Sequence, residues 1–199
     1  MIEIGPVTEH EMVLAFLAAE IDSPDYEEYI KPLLQRLNQS RTILIDNGDV
    51  TNATDNQVRM DLLKEYRGYS ADAYLFNGFP SDVRWRRVEI RLNELERVKY
   101  GNFKDWGKLS EGSRMVVDGA RNIGRLQTGE DIKDKVEAVV KKIERGHRFP
   151  ELVTVQTAGD DLVLVEGHKR ATAYMIAKPP YPIRLLIGSS SQIKSWRWY

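Results

Sequence analysis

The chain of 199 residues balances 29 Lys and Arg against 30 Asp and Glu and contains no cysteine. That length bounds it to one good core or two small ones, and the missing cysteine excludes disulfides, thiol catalysis and thiolate metal sites. No apolar run approaches transmembrane length and no basic, apolar, cleavable leader opens the chain, so a cytoplasmic protein with no membrane partner is expected.

The charge is unevenly spread. Residues 1–65 hold 13 Asp and Glu against 5 Lys and Arg, a local net of −8, which leaves +7 for the remainder. A modest basic excess suits a small anionic ligand better than nucleic acid, which brings a denser basic stripe. His10, His147 and His168 lack the spacing of zinc ligands.

In chain order, Thr8 and Glu11 have the form of a capping box and predict a helix to about Glu20. Asp22, Ser23 and Pro24 break it. Pro24 starts a second helix through Leu37, with Tyr29, Leu33, Leu34 and Leu37 on one face. Residues 42–45 read as a brief extended run, 46–56 as loop, and 56–66 as a third helix. After the turn at 77–80, Ser81 or Asp82 caps a fourth helix that points Trp85, Val88, Leu92 and Leu95 at the core and Arg84, Arg87 and Arg91 at solvent.

Residues 100–106 read as a junction, and 113–121 as a short strand and turn. Thr128 caps a further helix with Glu130 and Asp131 in its first turn. Ile132, Val136, Val139, Val140 and Ile143 form one face of that helix, and Gly146 ends it. Residues 152–157 and 162–165 flank the turn Ala158, Gly159, Asp160 and predict a hairpin.

The chemistry concentrates in residues 161–177. Residues 162–165 form an unbroken apolar run suited to a strand buried on both faces. Glu166 and Gly167 turn the chain, and a helix of small and apolar residues runs from His168 until Pro179 and Pro180 stop it. Such a junction puts free N–H groups and the positive end of the helix dipole just past the carboxyl end of a strand, where α/β sheets bind anions. Lys169 and Arg170 fall in that first turn and oppose the dipole by roughly 0.3 to 1 kcal/mol each. A bound phosphate held in the fork of a guanidinium would compensate them. So would a carboxylate partner for Arg170, with Glu166 the nearest in sequence.

Glu166, Gly167, His168, Lys169, Arg170, Ala171, Thr172 and Ala173 resemble the phosphate-binding box of the ParB/sulfiredoxin-like superfamily. There an acidic residue, Gly, two variable polar residues, Arg and a nearby Ala recur. The flanking segments follow the order helix, strand, strand, helix, strand, so the resemblance covers about residues 105–190. It implies an α/β (α+β) fold: a nucleotide-binding domain at 105–199 with a small mixed sheet and helices, preceded by a mainly helical region at 1–104.

The same resemblance implies a small-molecule nucleotide, ATP or another NTP with Mg²⁺, and two functions. One is a small-molecule kinase or NTP hydrolase, like the free serine kinases of that fold. The other is a non-enzymatic nucleotide switch, or DNA-associated module, like the CTP-binding ParB partition proteins.

Phosphoryl transfer mostly needs positioning and charge neutralisation. Gly167, His168, Lys169 and Arg170 would hold phosphate, with Arg114 and Arg121 entering from the segment before the box and Ser189 offering a hydroxyl after the last strand. Glu166 would bind Mg²⁺ or take a proton, and His168 would contact phosphate or act as acid or base. Plainer readings stand beside these: Glu166 as a salt-bridge partner, Arg114 and Arg121 as surface arginines, Ser189 as linker. Glu65, Asp72 and Asp118 are further carboxylates that the rest of the chain could bring in.

Sulfiredoxin chemistry is excluded, because that family's box cysteine is replaced by His168. The partition proteins carry a helix-turn-helix after the box, whereas 11 residues follow Gly188 here; DNA is therefore a disfavoured partner. The aromatic tail at 196–199 should pack on the helical half or on a second subunit of a homodimer.

Overall fold

The computed structural model describes every residue except 22, 24–25, 46–47, 126–129, 158 and 160, and the backbone alone at 130 and 131. A mixed sheet of five strands stands at the centre: β1 (Ile2–Val7), β2 (Arg84–Ile90), β3 (Leu152–Gln156), β4 (Val163–Glu166) and β5 (Ile183–Ser189). Their order is β1-β2-β5-β3-β4, with β3 and β5 parallel and the other neighbours antiparallel. Successive side chains of a strand point to opposite faces. Trp85, Val153, Val155, Val163, Val165 and Leu186 therefore enter one core, while Val88, Ile90, Leu152, Leu164, Leu185 and Ile187 enter the other. Both faces are covered, which is why β4 reads as an unbroken apolar run.

On the first face lie α1 (Glu9–Glu20), α2 (Lys31–Arg36) and α3 (Ala53–Arg67). On the second lie α4 (Leu92–Leu95), α5 (Lys104–Leu109), α6 (Val116–Asn122), α7 (Glu130–Glu144) and α8 (His168–Ala177). The architecture is α+β, as expected. Thr8 and Glu11 form the expected capping box on α1. Residues from Met12 through Ala18 are all buried, because α1 is wedged between the sheet and α3 and so is apolar on every side. Among the described residues, no helix is long and apolar enough to cross a membrane.

Several expected elements are corrected. The fourth helix is β2 followed by the single turn α4. Its core residues divide between the two faces of the sheet, which imitates helical spacing. Arg87 does not face solvent: it bridges Glu151 at 2.5 Å and Glu11 at 3.3 Å. β1, at residues for which the sequence predicts no element, joins β2 to carry the sheet into the region expected to be mainly helical, so one sheet is shared across residues 104 and 105. The extended run at 42–45 is a 3₁₀ turn, Arg41–Leu44, and the strand expected within 113–121 is one bridge at Met115 followed by α6. A π-turn at Tyr26–Ile30 shifts the phase of the second helix. As a result Tyr26, Ile30 and Leu34 are buried while Tyr29 and Leu37 are exposed. The breaks at Asp22 and Pro24, the cap at Thr128, the side chains of Glu130 and Asp131, and the turn residues Ala158 and Asp160 lie outside the described residues.

The hairpin of β3 and β4, α8 and the closing strand β5 stand as read. The tail folds onto its own chain. Trp196 is 2% exposed and its indole N–H donates to Leu75 O at 2.7 Å, while Ser195 Oγ donates to Gly78 O at 2.8 Å.

Candidate functional site

The junction from β4 to α8 is built on Gly167, whose φ of +101° lies in the left-handed region. A Cβ there would collide with Leu152 Cδ2, so both conformation and packing demand glycine. α8 begins without a side-chain cap. Among the described residues, no acceptor of the chain takes the N–H groups of His168, Lys169 or Arg170. The first carbonyl bond of the helix runs from Ala171 N to Gly167 O at 2.8 Å.

The floor beside this turn comes from residues 98–100, which add a short rung beyond β4. Lys99 N donates to Leu162 O and Leu164 N to Lys99 O, both at 2.8 Å. On the rung's other side, Tyr100 N donates to Arg114 O at 2.7 Å and Val116 N to Val98 O at 3.0 Å. The next residue, Gly101, approaches too closely for a side chain: a Cβ would stand 2.6 Å from Phe103 Cε2 and 3.1 Å from Leu164 O. Gly101 N donates to His168 Nε2 at 3.1 Å.

That bond assigns the tautomer of His168. A ring nitrogen that accepts carries no proton, so neutral His168 holds its proton on Nδ1. Tyr100, Phe103 and Trp106 surround the ring with centroids at 5.9, 5.3 and 5.4 Å. Burial, with Lys169 and Arg114 adding like charge, pushes the imidazole down to about 3. His168 is thus neutral throughout the physiological range, with its ring proton on Nδ1. The role of acid or base near neutral pH is not one this environment supports.

Arg170 is the main correction. It is 5% exposed, and its guanidinium points inward to Pro150 O, to Glu151 O at 3.3 and 3.4 Å, and to the carboxylate of Glu166. Its two terminal nitrogens are taken by the protein itself, so the end-on fork expected to grip phosphate is already engaged. Glu166 is correspondingly occupied. Burial pushes its carboxyl up against the pull of Arg170, and Glu20 adds to the push. The plainer reading, Glu166 as the salt-bridge partner, is the one that its contacts support.

The remaining expected residues scatter. Lys169 is partly buried in the first turn of α8. Arg114 lines a cavity of about 370 Å³ with Lys99, Asp161, Val163 and Tyr199, but its guanidinium is engaged by backbone oxygens of Tyr100, Trp198 and Tyr199. Arg121 pairs with Asp118 at 3.1 Å on the surface of α6. Ser189 ends β5 opposite Gln156, whereas Glu166 pairs with Val153 near the start of β3; it lies at the opposite end of the sheet from Gly167. Glu65 pairs with Arg36, and Asp72 accepts from Gly78 N at 2.5 Å.

Among the described residues, no group of three or more His, Asp or Glu stands where it could hold a metal ion. With Glu166 held by Arg170, the side chains at this turn do not fit Mg²⁺; the ion would have to arrive on the ligand's own phosphates. Tyr100, Gly101, Phe103 and Trp106 are the site residues that sequence reasoning missed. Their signal in the sequence is the density of aromatics and glycine at 100–106, the stretch that reads as a junction.

Compared with models of known families, with curated proteins and with solved structures, the chain matches none. The functional reading therefore rests on the geometry and on the resemblance of the box.

Proposed function

We propose that the chain is a cytoplasmic nucleotide-binding protein of ParB/sulfiredoxin-like type, and that it holds the phosphates of ATP or another NTP at the first turn of α8. The observation that carries this reading is the set of donors behind Gly167. The amides of His168, Lys169 and Arg170 take no acceptor in the described chain, and His168 Nδ1–H and the Lys169 ammonium stand in the same turn. Backbone amides and a helix dipole together form an anion site. Arg170 and Glu166 shape the turn from inside and do not touch the ligand.

Phosphoryl transfer needs a carboxylate free to take a proton or bind Mg²⁺, and Glu166 is held in an ion pair. The arrangement supports a non-enzymatic nucleotide switch better than a kinase or hydrolase. Calorimetric titration with ATP, ADP, CTP, GTP and inorganic tripolyphosphate, with and without Mg²⁺, tests the reading. Wild type should bind at least one of them, and Lys169→Glu should weaken that binding by tenfold or more, since it sets a negative charge against the incoming anion. Silence of the wild type toward every probe would refute it.

A further inference from the structure

Arg114 sits between α5 and α6 at a φ of +62°, with its N–H donated to Ser110 Oγ at 3.0 Å. Its side chain converges on one peptide oxygen: Nε and Nη2 donate to Tyr100 O at 3.0 and 2.7 Å. Nη1 donates to Tyr199 O at 3.0 Å, and Nη2 lies 3.5 Å from Trp198 O. The far side of that same peptide is the Gly101 N–H that donates to His168 Nε2. Both ends of the peptide are held, its oxygen by the two bonds from Arg114 and its N–H by His168 Nε2. A cation drawing on the C=O end of a peptide strengthens donation from its N–H end.

We propose that Arg114 is a positioning residue: acting through the peptide between Tyr100 and Gly101, it fixes His168 as the Nδ1–H tautomer, a neutral donor for one phosphate oxygen at the first turn of α8. The ligand half of this inference rests on the nucleotide-binding reading above; the tautomer half does not. It gives the aromatic tail a function too, since Trp198 and Tyr199 supply the acceptors that hold the other edge of the guanidinium. A fork is needed for two bonds to one oxygen, so lysine would not substitute.

The test pairs two measurements on wild type, Arg114→Lys and Arg114→Gln, with thermal midpoints to check folding. Long-range ¹H–¹⁵N spectra, with His168 assigned by the signal lost in His168→Gln, should show wild-type His168 with Nδ1 protonated and Nε2 bare, unchanged from pH 8 to pH 5. Both Arg114 variants should mix the tautomers. Affinity for tripolyphosphate should fall by about tenfold, the worth of one hydrogen bond, with the charge-retaining Arg114→Lys failing to rescue it.

An unchanged tautomer in a folded Arg114 variant overturns the inference. If affinity falls while the tautomer stays fixed, Arg114 meets the ligand directly and the relay is wrong. If wild type binds no phosphate, the ligand half falls with the proposed function, and the spectra still decide the tautomer half.

Discussion

Replacing Arg170 by leucine separates a phosphate-gripping arginine from one that holds the fold. In wild type Arg170 is 5% exposed, and its guanidinium satisfies Glu166 and the carbonyls of Pro150 and Glu151. Leucine leaves a carboxylate side chain only 16% exposed without its partner. Removing one member of a buried pair costs about 3 to 5 kcal/mol, against a total stability of about 5 to 15 kcal/mol for a domain. For a chain of this size the loss corresponds to a fall in Tm of about 6 to 20 °C.

The deficit should also depend on pH. Glu166 already sits above its ordinary range, and without Arg170 it rises further. A raised acid contributes stability that is present below its unfolded pKa and is lost as pH rises through the folded value. Urea unfolding followed by tryptophan fluorescence should therefore show Arg170→Leu weakest near pH 8 and approaching wild type toward pH 4. Adding Glu166→Met should restore most of the loss at neutral pH, because an apolar pair of similar volume does not leave a buried charge. If Arg170→Leu unfolds like wild type while tripolyphosphate binding disappears, the arginine faces the ligand and the structural assignment is wrong.

His168 gives the opposite pH dependence. Its imidazole is pushed from 6.5 down to about 3, so its contribution is complete above pH 6.5 and is lost as pH falls through that window, up to about 5 kcal/mol in all. Wild type should lose stability between pH 7 and pH 4 that His168→Gln does not lose, and parallel curves would refute the burial argument. Gly167→Ala should cost about 2 to 4 kcal/mol in chemical denaturation, from left-handed strain together with the clash on Leu152. Thr8→Ala, which breaks the capping box of α1, should cost about 1 kcal/mol and leave tripolyphosphate affinity unchanged, because α1 lies on the other face of the sheet.

Local devices were legible in the sequence. Thr8 and Glu11, the apolar run before Gly167 and the prolines after α8 each act within a few residues, and each stands where it was read. β2 was not legible, since its pairing partner β5 lies about a hundred residues away. Trp85 serves one core and Val88 and Ile90 the other, so no single face reads as apolar with a period of two, and Arg84, Arg87 and Arg91 complete a false helical stripe. The site was divided in the same way. Gly167 and Lys169 could be found from the box, but the peptide that sets His168 is 67 residues away and carries no side-chain signature.

Arg170 marks where a motif stops short of a mechanism. Glu166 and Arg170 stand four residues apart across a tight turn, and that spacing suits each to the other as well as it suits either to a ligand. Both terminal nitrogens of the Arg170 guanidinium are engaged inside the protein. Once those nitrogens are held by a carboxylate and two carbonyls of the same chain, the box describes how the turn is built, and the proposed binding falls to the two positions between, His168 and Lys169, where the pattern itself is variable.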